Sequence, residues 1–203
     1  MNVGVLVSGR GSNLQALLER LDPGEARVVA VASNKAEAPA LRHAREADVP
    51  VRVFAQADYA YRAAHDVAIA EWLQARGVQL VVLAGYMALL DGAFLARFPD
   101  RVVNVHPSLL PAFPGVRAVE QAVDYGVKVF GVTVHLVDDG VDTGAIVAQR
   151  AIELGTMSDP TEVHQQLQRI EHELLPAVVQ RIARGELRRD PENPRRLLLD
   201  ALV

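Results

Sequence analysis

The chain has 203 residues, enough for one sizeable core, and its 50% hydrophobic and 23% charged residues are the balance of a globular protein rather than a disordered one. A net charge of −4 argues against a broad nucleic-acid or anionic-membrane surface, so any anionic ligand must be held by local groups. There is no cysteine, which excludes disulfides, thiolate nucleophiles and cysteine-ligated metal sites. The same absence suits a cytoplasmic protein. Residues 1–7 lack the basic start and the apolar length of a signal peptide, and no apolar run approaches the roughly 20 residues that cross a bilayer.

Strand-length apolar runs alternate with helix-period segments. Residues 3–8 read as a buried strand and 14–21 as a helix, and 27–33 and 37–47 repeat the pair. A short strand at 51–54 precedes a long amphipathic helix at 59–76, which Gly77 is placed to cap. Residues 78–83 are almost all apolar, as in the centre of a parallel sheet covered on both faces. Residues 91–98 read as helix, 101–105 as strand and 116–125 as a helix ended by Gly126. The rhythm then changes. Residues 129–137 and 145–154 are two long strands joined by a polar loop with no helix between them, which predicts an antiparallel pair. Asp159, Pro160 and Glu162 mark the start of the last long helix as N-cap, first-turn proline and capping-box partner. Val163, Leu167, Ile170, Leu174 and Val178 give that helix an apolar face. Residues 188–203 are charged and broken by proline, and read as a peripheral tail.

These alternating units predict an α/β fold, a doubly wound and mostly parallel sheet with an antiparallel C-terminal extension. It is expected to form one domain over 1–187, with the tail at 188–203. In such sheets ligands bind beyond the carboxyl ends of the strands, near the point where strand order reverses. Two motifs stand at strand ends, residues 8–13 and 104–111, and are expected to share one site.

The first motif, Ser8-Gly9-Arg10-Gly11-Ser12-Asn13, closes a strand and opens a helix. Free N–H groups and the dipole at a helix start bind phosphate, and glycine lets the backbone come close to an anion. Leu14 stands where a dinucleotide fingerprint needs glycine, and no Lys-Ser/Thr pair follows, so a small phosphate-bearing molecule fits better than NAD or ATP. The local pattern also permits a plainer reading, in which Ser12 caps the helix and Gln15 completes a capping box.

The second motif is Asn104-Val105-His106-Pro107-Ser108-Leu109-Leu110-Pro111. A carboxamide and an imidazole at alternate strand positions point the same way, and two prolines stiffen the chain where they emerge. Amide N–H donors and an imidazolium stabilise an oxyanion, and imidazole exchanges protons with a tetrahedral intermediate. Asp142 lies in the acidic loop Asp138-Asp139-Gly140-Val141-Asp142, whose spacing is not that of an EF-hand. His135 reads as a structural strand residue. His43, His65, His164 and His172 show no metal-ligand grouping and read as surface or capping residues. Ser108 lacks a nucleophile elbow. Gln168 and Glu171 share one face of the last helix, as ordinary solvated residues would.

In order and spacing, these motifs resemble those of the folate-dependent formyltransferases. So do Ser33-Asn34-Lys35-Ala36, Val82-Leu83-Ala84-Gly85-Tyr86-Met87, and the run from Gly131-Val132-Thr133-Val134-His135 to Asp142-Thr143-Gly144. The resemblance covers essentially the whole chain and implies the Rossmann-like formyltransferase fold. It implies 10-formyltetrahydrofolate as co-substrate, no metal, and transfer of the formyl group to the amine of 5-phosphoribosylglycinamide. Asn104, His106 and Asp142 would then be catalytic, with the aspartate favouring the charged imidazolium. Gly11, Ser12 and Asn13 would hold the ribonucleotide phosphate, and Gln168 and Glu171 its other polar atoms. Arg62, Met87, Ala88, Leu89, Leu90, Asn104, Asp138, Asp139, Gly140 and Val141 would hold the folate. Two residues depart from the family pattern. Ala88 stands where an arginine is common, and Arg117 where a histidine is common after Pro114-Gly115.

Three other functions compete with that expectation. A related hydrolase would carry an additional N-terminal domain, whereas the first strand here begins at Asn2. A methionyl-tRNA formyltransferase would need a further C-terminal domain and a basic surface. A non-catalytic folate or nucleotide module would not need the Asn104, His106 and Asp142 set. The expected partners are small molecules, not nucleic acid or membrane, in a monomer or homodimer.

Overall fold

Strand β1 (Asn2–Val7) is the spine of the first half of the chain. Val3, Val5, Leu6 and Val7 are fully buried, because helices cover both faces of the strand. Gly4 makes room for close packing there, since a Cβ would lie 2.9 Å from Leu73 Cδ2 and 3.0 Å from Val78 Cγ1, and these side chains would have to shift. The computed structural model describes residues 1–193 and 195–199. The chain divides into two compact units, one ending at Asn104 and the other running from Val105 onward.

In the first unit β1 pairs in parallel with β2 (Arg27–Ser33) on one side and β4 (Leu80–Leu83) on the other, and β2 pairs with β3 (Val51–Val53). Helices α1 (Ser12–Arg20), α2 (Ala40–Glu46), α3 (Arg62–Gln74) and α4 (Gly92–Leu95) connect them. Helix α3 starts at Arg62 and not at residue 59, because Gln56–Asp58 form a separate 3₁₀ turn and Tyr61 is extended. It ends at Gln74, two residues before the predicted end, and Gly77 closes the turn that follows. Gly77 takes φ 66°, and the Gly77 and Val78 N–H groups donate to the carbonyls of Gln74 and Leu73. Strand β5 (Val102–His106) adds in parallel to β4, with Leu83 opposite Asn104.

The second unit contains α5 (Ala118–Tyr125), β6 (Val129–Leu136), β7 (Ile146–Glu153) and α6 (Pro160–Ala183). Strands β6 and β7 are antiparallel, as two long strands without a helix between them predict. Asp159 caps α6 by accepting the Thr161 N–H at 2.8 Å. Val163, Leu167, Ile170, Leu174 and Val178 are all buried, where α6 packs on β6, β7 and α5. Each such side chain contributes roughly 1.5–3 kcal/mol of transfer free energy.

The seven strands form one mostly parallel sheet in the order β3-β2-β1-β4-β5-β6-β7. This is a doubly wound α/β architecture, whose strand order reverses between β1 and β4. A separate two-stranded sheet, β8 (Arg188–Arg189) with β9 (Leu197–Leu198), forms at the C-terminal end, where the sequence predicts no element. Of the predicted tail, residues 194 and 200–203 lie outside the described residues.

Candidate active site

Both loops at the reversal point belong to the first unit, and Ser8 fastens them together. Its hydroxyl donates to Asn34 Oδ1 at 2.6 Å and accepts the Met87 N–H at 2.9 Å, and its own N–H donates to the Gly85 carbonyl at 3.1 Å. Gly11 is the N-cap of α1, at φ 85° and ψ 24°. A Cβ at Gly11 would lie 2.5 Å from Ala40 Cβ, so only glycine fits. A glycine cap offers no side chain to the helix start, and the Gln15 amide donates instead to Glu19 Oε1 at 2.7 Å. The capping-box reading of Ser12 and Gln15 is therefore not the geometry found. Gly11, Ser12 and Asn13 form the start of a helix at a strand-order reversal, a position that favours anions.

After β4 the chain runs through Met87, Ala88, Leu89 and Leu90. Met87 and Leu89 are 67% and 51% exposed, an unusual display for large apolar side chains two positions apart in sequence, while Leu90 is buried. Arg62 donates to the Leu90 carbonyl at 3.1 Å, so its guanidinium is partly committed to shaping this segment. His65 is not a surface residue. It is 3% exposed, with Nδ1 2.7 Å from Asp66 Oδ1 and Nε2 3.0 Å from the Phe54 carbonyl. It shares the buried face of α3 with Ile69, Trp72 and Leu73, a helical spacing that signals burial in the sequence.

Asn104 and His106 are alternate residues of β5. In the second unit, His106 is 5% exposed and stands 3.2 Å from Asp142, through Nδ1 and Oδ2. Its Nε2 lies 2.8 Å from the Phe113 carbonyl. Both neighbours are acceptors, so only a doubly protonated ring fills both contacts as hydrogen bonds. Asp142 Oδ1 lies 3.4 Å from Nε2 of buried His135, whose Nδ1 faces the Leu136 carbonyl at 2.8 Å. The Gly115 N–H donates to Asp142 Oδ2 at 2.7 Å. Burial pushes the Asp142 carboxyl up, but the His135 hydrogen bond, the Gly115 N–H and the charges of His106 and His135 outweigh it and hold it below the usual carboxylate value. His135, read from the sequence as structural, is thus a partner of the candidate catalytic aspartate.

The loop that presents His106 is bolted to the antiparallel pair. Thr133 on β6 is fully buried; its hydroxyl donates to the Ser108 carbonyl at 2.7 Å and accepts the Leu110 N–H at 3.1 Å. Gln149 on β7 donates to that hydroxyl and to the Leu110 carbonyl, both at 2.9 Å. Ser108 donates to the Ala112 carbonyl at 2.6 Å, a structural duty consistent with its not being a nucleophile. The Asp142 loop has its own brace, for Asp138 Oδ1 accepts the Thr143 hydroxyl at 2.6 Å and the Gly140 N–H at 3.1 Å. The polar residues Thr133 and His135 in an otherwise apolar strand were the available signal for both roles.

On α6, Glu171 is buried and Gln168 half-buried, so the face they share is not simply solvated. Val141 is 46% exposed, and Asp138, Asp139 and Gly140 lie with it on the loop between β6 and β7. Arg195, beyond the expected domain, reaches back to donate to the Thr143 carbonyl at 2.9 Å. Among the described residues no group of three or more histidines or carboxylates is placed to hold a metal ion, and no helix is long and apolar enough to cross a membrane.

A doubly wound α/β sheet with an imidazole–carboxylate pair at a strand end is built for acid–base chemistry on a small molecule, the class to which one-carbon transferases belong. The chain belongs to the formyl transferase family, whose model matches residues 1–179. It is 39% identical over 180 residues to phosphoribosylglycinamide formyltransferase of Bacillus subtilis (strain 168), covering 88% of this chain and 92% of that protein. It is 46% identical to the Mycobacterium tuberculosis (strain ATCC 25618 / H37Rv) protein of the same name over 88% of this chain and 83% of the relative. Among solved structures, glycinamide ribonucleotide transformylase 1 from Symbiobacterium toebii superposes with a TM-score of 0.93 at 44% identity, covering 98% of this chain and 94% of that one.

Proposed function

We propose that this enzyme transfers the formyl group of 10-formyltetrahydrofolate to the amine of 5-phosphoribosylglycinamide. The products are formylglycinamide ribonucleotide and tetrahydrofolate, and the reaction is a step of de novo purine synthesis. The observation that carries this reading is the pairing of His106 with Asp142 at 3.2 Å in a chain that aligns nearly end to end with phosphoribosylglycinamide formyltransferases. The 1–179 family match runs through both compact units, which supports treating 1–187 as one functional domain.

The amine attacks the formyl carbon, negative charge develops on the formyl oxygen, and the bond to the folate nitrogen then breaks as His106 delivers a proton to that nitrogen, making up for the one the amine gives up. The Asn104 carboxamide and the His106 imidazolium donate to that oxygen. His106 exchanges its Nε2 contact with the Phe113 carbonyl for the new acceptor. Asp142 holds His106 in the charged, correctly turned form and accepts the proton lost by the amine, directly or through water. A carboxyl held below the usual value keeps its negative charge near neutrality, as holding His106 charged requires. His135 fixes the second oxygen of Asp142 and so its orientation.

Gly11, Ser12 and Asn13 take the ribonucleotide phosphate at the α1 start, and Gln168 and Glu171 take its other polar atoms. Arg62, Met87, Ala88, Leu89, Leu90, Asn104, Asp138, Asp139, Gly140 and Val141 take the folate. The exposed Met87 and Leu89 side chains suit a flat, largely apolar heterocycle, and the partly exposed Arg62 suits a carboxylate. Ala88 brings no charge, so Arg62 is the cation of that segment. The test is formyl transfer by the purified protein with donor and ribonucleotide, beside a tube without the amine. Donor loss only with the ribonucleotide supports the transferase; equal loss in both tubes means a hydrolase, and the reading falls.

A further inference from the structure

Helix α3 carries a buried His65–Asp66 pair, bordered by the half-exposed Arg62, for which the proposed chemistry has no use. Asp66 is 1% exposed and His65 3%. Asp66 Oδ1 receives His65 Nδ1 at 2.7 Å, and Oδ2 accepts the Asp91 N–H at 2.8 Å with Arg62 Nε at 3.8 Å. Arg62 donates to the next carbonyl back, that of Leu90, at 3.1 Å. His65 is itself oriented by the Phe54 carbonyl at 3.0 Å and by the edge of Tyr59, ring centroids 5.2 Å apart.

Buried ion clusters are poor stabilisers, because desolvation offsets most of the attraction, and apolar residues of similar size often do as well. What such a cluster does supply is position. This one grips the backbone at Leu90 and Asp91, and Asp91 in turn caps α4 through the Ala93 N–H at 2.8 Å. The other end of the same segment is held by Ser8 through the Met87 N–H. Residues 87–90, with Met87 and Leu89 turned to solvent, are thus strung between two buried anchors. Near the cluster the Tyr86 hydroxyl is buried with no hydrogen-bond partner among the described residues, and burial and then the Asp66 charge push it up, so it stays protonated.

We propose that Asp66, oriented by His65, is a positioning residue for the folate co-substrate. It touches no ligand and sets the 87–90 segment through the backbone of Leu90 and Asp91. The proposal rests on the reading above that this segment receives folate.

The test compares wild type with Asp66→Asn and Leu89→Ala, measuring kcat, KM for each substrate and Tm. Asparagine keeps the shape and an acceptor for Asp91 but removes the charge that orders His65 and Arg62. Asp66→Asn is expected to raise the KM for 10-formyltetrahydrofolate about tenfold or more, while kcat and the KM for the ribonucleotide each move less than about threefold. Leu89→Ala is expected to raise the same folate KM. Unchanged folate KM in Asp66→Asn beside a raised one in Leu89→Ala overturns the positioning role alone. Unchanged folate KM in both overturns the assignment of the segment to folate. Parallel loss in kcat and both KM values marks a general structural role and also overturns the proposal. Should Asp66→Asn fail to fold, His65→Gln removes the orienting ring and carries the same comparison.

Discussion

Asp142 lies 3.2 Å from His106 while its second oxygen lies 3.4 Å from His135, so one carboxylate stands between two buried imidazoles. The strand that delivers His106 and the strand that delivers His135 are different, and the aspartate comes from the loop after the second. Its backbone takes φ 52°, a conformation that aspartate tolerates better than most residues. The arrangement aims a negative charge at His106 from a fixed direction, and Asn104, two residues earlier on β5, shares the face of the strand from which His106 projects.

Replacing that charge is the direct check. Asp142→Asn keeps the volume and an acceptor for the Gly115 N–H but removes the carboxylate that both histidines face. The expected result is a fall in kcat of roughly 10²–10⁴, the range of positioned acid–base groups, with both KM values within a few-fold of wild type. Steady-state kinetics in both substrates reads this. A kcat within threefold of wild type would remove Asp142 from the chemistry.

The same residue makes stability depend on acid. Its folded-state carboxyl is held below the ordinary value, so its contribution is present above the unfolded value of about 3.9 and is lost as pH falls through the folded value. Wild type should therefore exceed Asp142→Asn in Tm by a constant margin above about pH 5, and the margin should shrink as pH approaches 3. Thermal melts of the pair across this range are sufficient. A margin that grows on acidification would reverse the sign and exclude the assigned cause.

Gly11 and Gly9 lie in one loop but carry opposite expectations. At Gly11 an alanine would meet Ala40 Cβ at 2.5 Å and Ala40 Cα at 2.7 Å, at a φ of +85° that L-residues disfavour. Gly11→Ala should cost about 1–3 kcal/mol and raise the KM for the ribonucleotide, because relief of the clash moves the α1 start. At Gly9 a Cβ would meet nothing within 4 Å, and Gly9→Ala should alter stability by less than about 0.5 kcal/mol. Urea titrations of both variants separate the two.

The sheet was legible because its strands are short apolar runs and its helices begin or end on marked residues, as with Asp159 at α6 and Gly77 after α3. His106 and Asp142 were legible as a motif at strand and loop positions. Their partnership with His135 was not, because it depends on how β6 and β7 pair, with a register shift beside Val134 and His135. The buried His65–Asp66 pair was missed when its histidine was weighed alone; set beside Ile69, Trp72 and Leu73 it falls on the inner face of α3. Strands β8 and β9 have two residues each, too few for any period to show. Ser8 illustrates the remaining limit: its position at a strand end was evident, but its bonds to Asn34 and Met87 join loops distant in sequence.

Thr133 offers a last prediction, in which stability and catalysis are read together. Its fully buried hydroxyl is the shared partner of the Ser108 carbonyl, the Leu110 N–H and the Gln149 amide. Thr133→Val is close in volume, so it opens no cavity, but it leaves the buried Leu110 N–H without its acceptor. The expected loss is about 1–3 kcal/mol of stability in urea unfolding. The loop from Pro107 to Gly115 contributes both the Phe113 carbonyl against His106 and the Gly115 N–H against Asp142. Loosening it should therefore lower kcat as well, by about tenfold, since a displacement on the order of 1 Å at reacting groups is strongly felt. Serine at this position restores the hydroxyl without the methyl, so Thr133→Ser should recover most of the kcat. Full activity in Thr133→Val would show that the loop holds His106 and Asp142 in place without this anchor.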